Sequence, residues 1–225
     1  MSALDRAFAL GAAALLAAGI YAAGLRGLAD LRYFEARSLL TRPGQEARLP
    51  ERAELDEAQA SLGEALALEP ANPLFVEQLA RVHEMRALQL GREDPARRAE
   101  LRAALAQFRR AALMRPASPY AWAAIAAAKL RLDEADFEFY GALQRAERYG
   151  RWEPAIQLEL ADIGLAAWPL LAQPAKLITL DAIARALPAQ DKDIRRIAAA
   201  HGHLSEVCAE APQLRGAPPG LCVKD

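Results

Sequence analysis

A six-residue phrase that occurs twice constrains this chain more than any other feature. Leu68-Glu69-Pro70-Ala71-Asn72-Pro73 closes one apolar-periodic stretch, and Met114-Arg115-Pro116-Ala117-Ser118-Pro119 closes another forty-six residues later. Tyr149-Gly150-Arg151-Trp152-Glu153-Pro154 is a looser third copy. In the first two, the first proline stops a helix, because it lacks the N–H that the next turn needs. Asn72 or Ser118 then caps the following helix, and the second proline takes its first position, where a missing N–H costs nothing. The phrase is a joint between two helices, so the chain is expected to be all-α.

Composition agrees with this reading. Hydrophobic residues make up 53% of the 225 positions but aromatic residues only 6%, and alanine is prominent among them. Alanine and leucine favour helix, while the β-branched residues that favour strands are scarce. The 28 basic and 29 acidic side chains are interspersed and nearly cancel, which leaves no basic footprint for nucleic acid.

Upstream of the joints the same small and large positions recur. Ala58, Leu62, Ala65 and Pro70 match Ala104, Phe108, Ala111 and Pro116 at identical spacing, and Phe139, Leu143 and Ala146 repeat the pattern before the third joint. Such spacing lets a neighbouring helix seat against one face. It resembles helix B of the tetratricopeptide repeat. After the joints, Val76, Leu79 and Ala80, then Trp122, Ile125 and Ala126, stand at the large, large and small positions of the family's helix A; the third set, Gln157, Leu160 and Ala161, departs at Gln157. The resemblance covers roughly residues 51–186 and implies a short helical-hairpin solenoid. The unit from Pro73 to Pro119 exceeds the family's usual length, with the insertion placed around Leu90 to Arg97.

The resulting map has a membrane anchor over 1–26, a juxtamembrane helix and linker over 27–50, the repeat domain over 51–210 and a Pro-rich tail over 211–225. Helices are expected at Glu51–Leu68, Pro73–Leu90, Pro95–Met114, Pro119–Leu132, Glu134–Tyr149, Pro154–Trp168, Ala175–Ala186 and Lys192–His201.

The anchor rests on the stretch from Ala7 to Leu25, which carries no charge over nineteen residues. At about 1.5 Å per residue this spans roughly the 30 Å core of a bilayer. A signal peptide is the competing reading, with Ala22 and Gly24 as the nearest match to a cleavage site; the length of the run favours a retained single-pass anchor in a bacterial inner membrane. Gly19, Ala23 and Gly27 form a ridge on which another transmembrane helix could pack. Two arguments on orientation conflict. Arg26, Arg32, Arg37 and Arg42 follow the helix, which on the positive-inside rule places the domain in the cytoplasm. Cys208 and Cys222, the only cysteines, suit a disulfide in an oxidising compartment, and a periplasmic domain is the favoured expectation.

No catalytic set assembles from the sequence: there is no phosphate-cradling glycine loop and no nucleophile elbow. No cofactor, metal or small-molecule substrate is expected. His201-Gly202-His203 reads as a helix end with Gly202 as a left-handed cap, since residues two apart do not share a helix face. The acidic run Asp133, Glu134, Asp136 and Glu138 reads as the start of an exposed helix.

If the repeat resemblance holds, a concave groove is lined by helix A residues: Glu77, Arg81 and Glu84, then Tyr120, Ala127 and Arg131, then Leu158 and Asp162. Family members that clamp a terminal carboxylate use basic residues and asparagines at these positions, and Glu77, Ala123 and Leu158 do not match. The groove's mixed charge implies a helix or extended segment of another protein. The whole arrangement also resembles the VpsP-like family of membrane proteins from bacterial exopolysaccharide clusters, through Pro119-Tyr120-Ala121-Trp122, Phe137-Glu138-Phe139-Tyr140 and Gly150-Arg151-Trp152-Glu153-Pro154. That implies a non-catalytic scaffold whose partners are integral membrane proteins of a polysaccharide assembly. The alternatives are a scaffold for cytochrome c maturation, secretion or pilus construction, and a glycan-modifying enzyme.

Overall fold

The computed structural model of the chain describes residues 3–41, 48–210 and 222. Among them all regular structure is helical: α1 (Ala3–Leu40), α2 (Arg52–Leu68), α3 (Pro73–Gln89), α4 (Pro95–Met114), α5 (Pro119–Arg131), α6 (Phe137–Gly150), α7 (Pro154–Ala166), a 3-10 turn at Trp168–Leu170, α8 (Gln173–His201) and α9 (Leu204–Glu210). Most of the expected linker and nearly all of the Pro-rich tail, Cys222 excepted, lie outside the described residues.

The joints form as the local chemistry requires. Asn72 Oδ1 accepts from the Leu74 N–H at 3.1 Å, and Pro73 opens α3. Pro119 and Pro154 occupy the same place in α5 and α7, but Ser118 makes no side-chain cap bond, contrary to expectation. Asp94 and Asp136 cap α4 and α6 through backbone N–H groups two or three residues on. Helix α6 therefore starts at Phe137 and not at Glu134: Asp133 turns the chain with φ 61°, and Asp136 supplies the cap for the first turn.

The other boundary corrections lie toward the C-terminus. Helix α7 ends at Ala166, and Trp168 belongs to the 3-10 turn. The two helices expected over 175–201 are the two halves of α8, which starts at Gln173 and is broken by a kink at Gln190 just after Pro188, whose ring disrupts the ladder. Helix α9 has no counterpart in the sequence map. Its Cys208 is bonded to Cys222, with an S–S distance of 2.06 Å and Cα atoms 5.5 Å apart. At the end of α8, Gly202 adopts φ 72° and donates its N–H to the Ala198 carbonyl, the left-handed cap read from the sequence.

Each helix packs chiefly on its neighbours in the chain. The matched positions carry this packing: Ala58, Leu62 and Ala65 on α2, Ala104, Phe108 and Ala111 on α4, and Phe139, Leu143 and Ala146 on α6 are all buried. Small residues on one helix let the next approach closely enough to bury the large ones. The main core runs unbroken from α3 to Val207 of α9. Trp122, expected in that core, is only half-buried; its Nε1 donates to the Pro116 carbonyl at 2.8 Å, and Arg145 stacks on its ring at 4.6 Å.

Helix α1 has two characters. From Arg26 onward it joins the domain. Ala29 and Tyr33 pack with Ala65 and Phe75, the Tyr33 and Phe75 rings stacking at 5.2 Å, and Ala36 and Leu40 pack with Leu55, Ala58 and Leu62. Before Arg26 its large apolar side chains stand open among the described residues: Phe8, Leu10, Leu15, Leu16, Ile20 and Tyr21 are each 69–81% exposed. The helix is long and apolar enough to cross a membrane. An added Cβ at Gly19 or Gly27 would meet nothing within 4 Å, so the small-residue ridge is open.

Candidate functional site

Three of the proposed groove residues form one ion network. The Glu84 carboxylate on α3 is almost fully buried and accepts from Arg81 Nη1 at 2.7 Å, one turn back on the same helix, and from Arg131 on α5. The Arg81 guanidinium also lies over the Phe108 ring, 5.2 Å from its centre. Burial works against the Arg81 charge, but Glu84, Glu159 and Glu77 together outweigh it and hold the group firmly protonated. A buried charge survives only with such pairing.

Two carboxylates on this face are less well compensated. Burial raises the Glu77 carboxyl above its ordinary value, opposed by Arg115 and Arg81, and Glu77 Oε1 is buried with no hydrogen-bond partner among the described residues. Burial likewise raises Glu159 on α7, where the nearby Glu84 and Asp162 charges add to the shift and Arg81 and Arg131 oppose it. The face thus joins α3, α5 and α7 through alternating charge, with Glu77 Oε1 short of a donor among the described residues.

The remaining expected residues fall around this network. Tyr120 stands at the joint end of α5. Its hydroxyl is raised first by partial burial and then by the neighbouring Glu153 carboxylate. Asp162 pairs with His201 Nε2 of α8 at 2.8 Å. Those two, with Arg92, Arg97, Arg131 and Asp133, border an open recess of about 460 Å3 at the opposite end of the face. Ala127 lines the same recess but is itself almost completely buried. Leu158, expected in the groove, instead packs against the main core, and Glu159 provides the charged side chain on the groove face.

Glu159 and His201 are the functional candidates that sequence reasoning missed. Glu159 was within reach of it, since positions 159 and 162 are three apart on one helix face. His201 was not, because the contact crosses thirty-nine residues.

Away from this face, Lys129 is the most deeply buried cation among the described residues, only 3% exposed. Its Nζ gathers Glu134, Asp136 and Glu138 at 3.0, 2.7 and 3.2 Å. The acidic run therefore closes on a buried ammonium from the preceding helix. No group of three or more potential metal ligands occurs among the described residues.

No family model matches the chain, and no curated relative matches it. What the fold and site define is an all-helical protein with one N-terminal helix fit to span a membrane and a charged face crossing three helices.

Proposed function

We propose that the chain is a non-catalytic, membrane-tethered scaffold, built as a short tetratricopeptide-like solenoid, that grips other proteins on the α3–α5–α7 face. The observation that carries this reading is the state of that face: burial raises the carboxyls of Glu77 and Glu159, and Glu77 Oε1 is buried with no hydrogen-bond partner among the described residues. Buried carboxylates without full partners favour a ligand that brings donors. The fitting occupant is a segment of another protein carrying basic or amide side chains, presented beside the lipid. The repeated burial of the small-large-small positions supports the repeat assignment. The Cys208–Cys222 bond supports a periplasmic domain on an inner-membrane anchor. The resemblance to the VpsP-like family favours integral membrane proteins of a polysaccharide biosynthesis or export system as partners.

A photo-crosslinking amino acid at Tyr120 or Asp162, activated in intact membranes, should give an adduct with an integral membrane protein. The same group at the exposed Glu57 of α2 should not. Equal labelling from both faces, or none from the groove, would sink the assignment.

A second reading is favoured by Glu159 alone, since a carboxyl raised by burial suits a general acid. Polysaccharide turnover by the purified protein, abolished by Glu159→Gln with the fold intact, would replace the scaffold by a glycan-modifying enzyme.

A further inference from the structure

The three joints form one edge of the domain, and the membrane helix leaves by that edge. Arg26, the first charged residue after the apolar stretch, pairs through Nε with Glu69 Oε1 at 3.1 Å, and so fixes the first joint level with the end of the apolar segment. Arg110, in the last two turns of α4, donates to the Pro70 carbonyl at 2.5 Å, which links the first joint to the second. The second and third are in direct contact: a Cβ added at Gly150 would lie 2.8 Å from Pro119 Cβ.

This edge carries side chains that water does not favour. Trp152 in the third joint is 83% exposed, Leu113 in the last turn of α4 is 84% exposed and Tyr149 is 44% exposed. The exposed Arg115, Arg148 and Arg151 stand among them, with Arg148 and Arg151 over the Tyr149 and Trp152 rings at 5.8 and 5.9 Å. Amphipathic aromatics interleaved with arginine are the composition that settles at the headgroup level of a bilayer, where rings meet the acyl boundary and guanidinium groups meet phosphate.

We infer that the joint edge lies on the lipid surface, with Trp152 and Leu113 inserted at the headgroup boundary, so that the domain rests on the membrane it is anchored in. The inference rests on reading α1 as a membrane span, because the Arg26–Glu69 pair sets the height of the edge only if the segment before it crosses the bilayer. It assigns lipid, and not a protein, to the most exposed tryptophan.

The test uses the full chain in phosphatidylcholine vesicles with or without bromine atoms on the upper acyl chain, which quench tryptophan emission on contact. Bromolipid should quench part of the emission of the wild type, and Trp152→Phe should lose that part. Moving the indole to the far end of α6 with Trp152→Phe/Phe137→Trp should not restore it, since Phe137 is exposed at the opposite edge. If Trp152→Phe leaves the bromine-sensitive emission unchanged, or the indole at 137 is quenched as strongly, the edge does not touch lipid although the anchor stands. A chain that fails to float with the vesicles overturns the anchor and this inference together.

Discussion

The carboxylate of Glu84 on α3 accepts a hydrogen bond from the guanidinium of Arg131 on α5, forty-seven residues further along the chain, while its own side chain is only 7% exposed. With Arg81 on its other oxygen, Glu84 is the shared counter-ion of two arginines. Glu84→Gln should destabilise the protein by about 2 kcal/mol, less than the roughly 3 to 5 of a fully buried pair because both guanidinium groups keep some access to water. Thermal unfolding of the detergent-solubilised chain measures it. An unchanged transition would mean that this carboxylate does not hold α5 to α3.

Helices α7 and α8 meet where Gly164 faces Thr179, and a Cβ on Gly164 would fall 2.0 Å from Thr179 Oγ1 and 2.7 Å from its Cβ. Gly164→Ala is therefore expected to cost about 1 to 3 kcal/mol through overpacking. Adding Thr179→Ala should recover only part of that loss, because the Thr179 Cβ is itself too close. Full recovery in the double variant would show that the helices shift apart freely.

Glu159 gives stability a definite slope with pH. Its folded-state pKa is raised, so the folded chain holds the proton more tightly than the unfolded one. The contribution is present below the unfolded glutamate pKa and is lost as pH rises through the folded value. The stability of Glu159→Gln relative to wild type should accordingly rise from acid toward neutral pH, read as the difference in melting temperature across that range. A difference that is flat or falls with pH contradicts the burial of this carboxyl.

Lys129 predicts the opposite slope. Its ammonium is the main cause of the lowered Asp136 carboxyl, and after Arg109 it helps to lower Glu138. These contributions are present above the unfolded carboxylate pKa values and disappear as pH falls through the folded ones. Lys129→Met should cost about 1 to 2 kcal/mol at neutral pH, discounted because the carboxylates remain partly solvated. The gap from wild type should narrow on acidification. A gap that widens in acid would mean that the carboxylates are not paired to Lys129.

The helices were legible because their punctuation is local: Asn72 and the prolines at 73, 95, 119 and 154 act on atoms a few bonds away. The charged face was legible only in part. Arg81, Glu84 and Arg131 could be placed on it from helical spacing, but their mutual pairing could not, since it depends on how far α3 and α5 are offset. Gln157 looked out of place at a large apolar position. In the structure it is buried, and its Nε2 donates to the Gly150 carbonyl at 2.8 Å, a bond invisible to a pattern of small and large side chains. The same limit hid the ring of carboxylates around Lys129, where charge patterning suggested only a solvated helix start.

Because α1 is helical from Ala3 to Leu40 and its second half is clasped by α2 and α3, the chain has no swivel between its apolar segment and the domain, and a span built on that segment would hold the domain rigidly. Rotation of the anchor about its axis therefore turns the whole domain with it, and each residue added or removed near Leu25 would swing the domain by about 100° relative to the outer half of the span. A neighbour locked to that outer half would then find the charged face aimed elsewhere. The direction in which the charged face points is set by the helical phase of one segment, as a key's bit is set by its shaft.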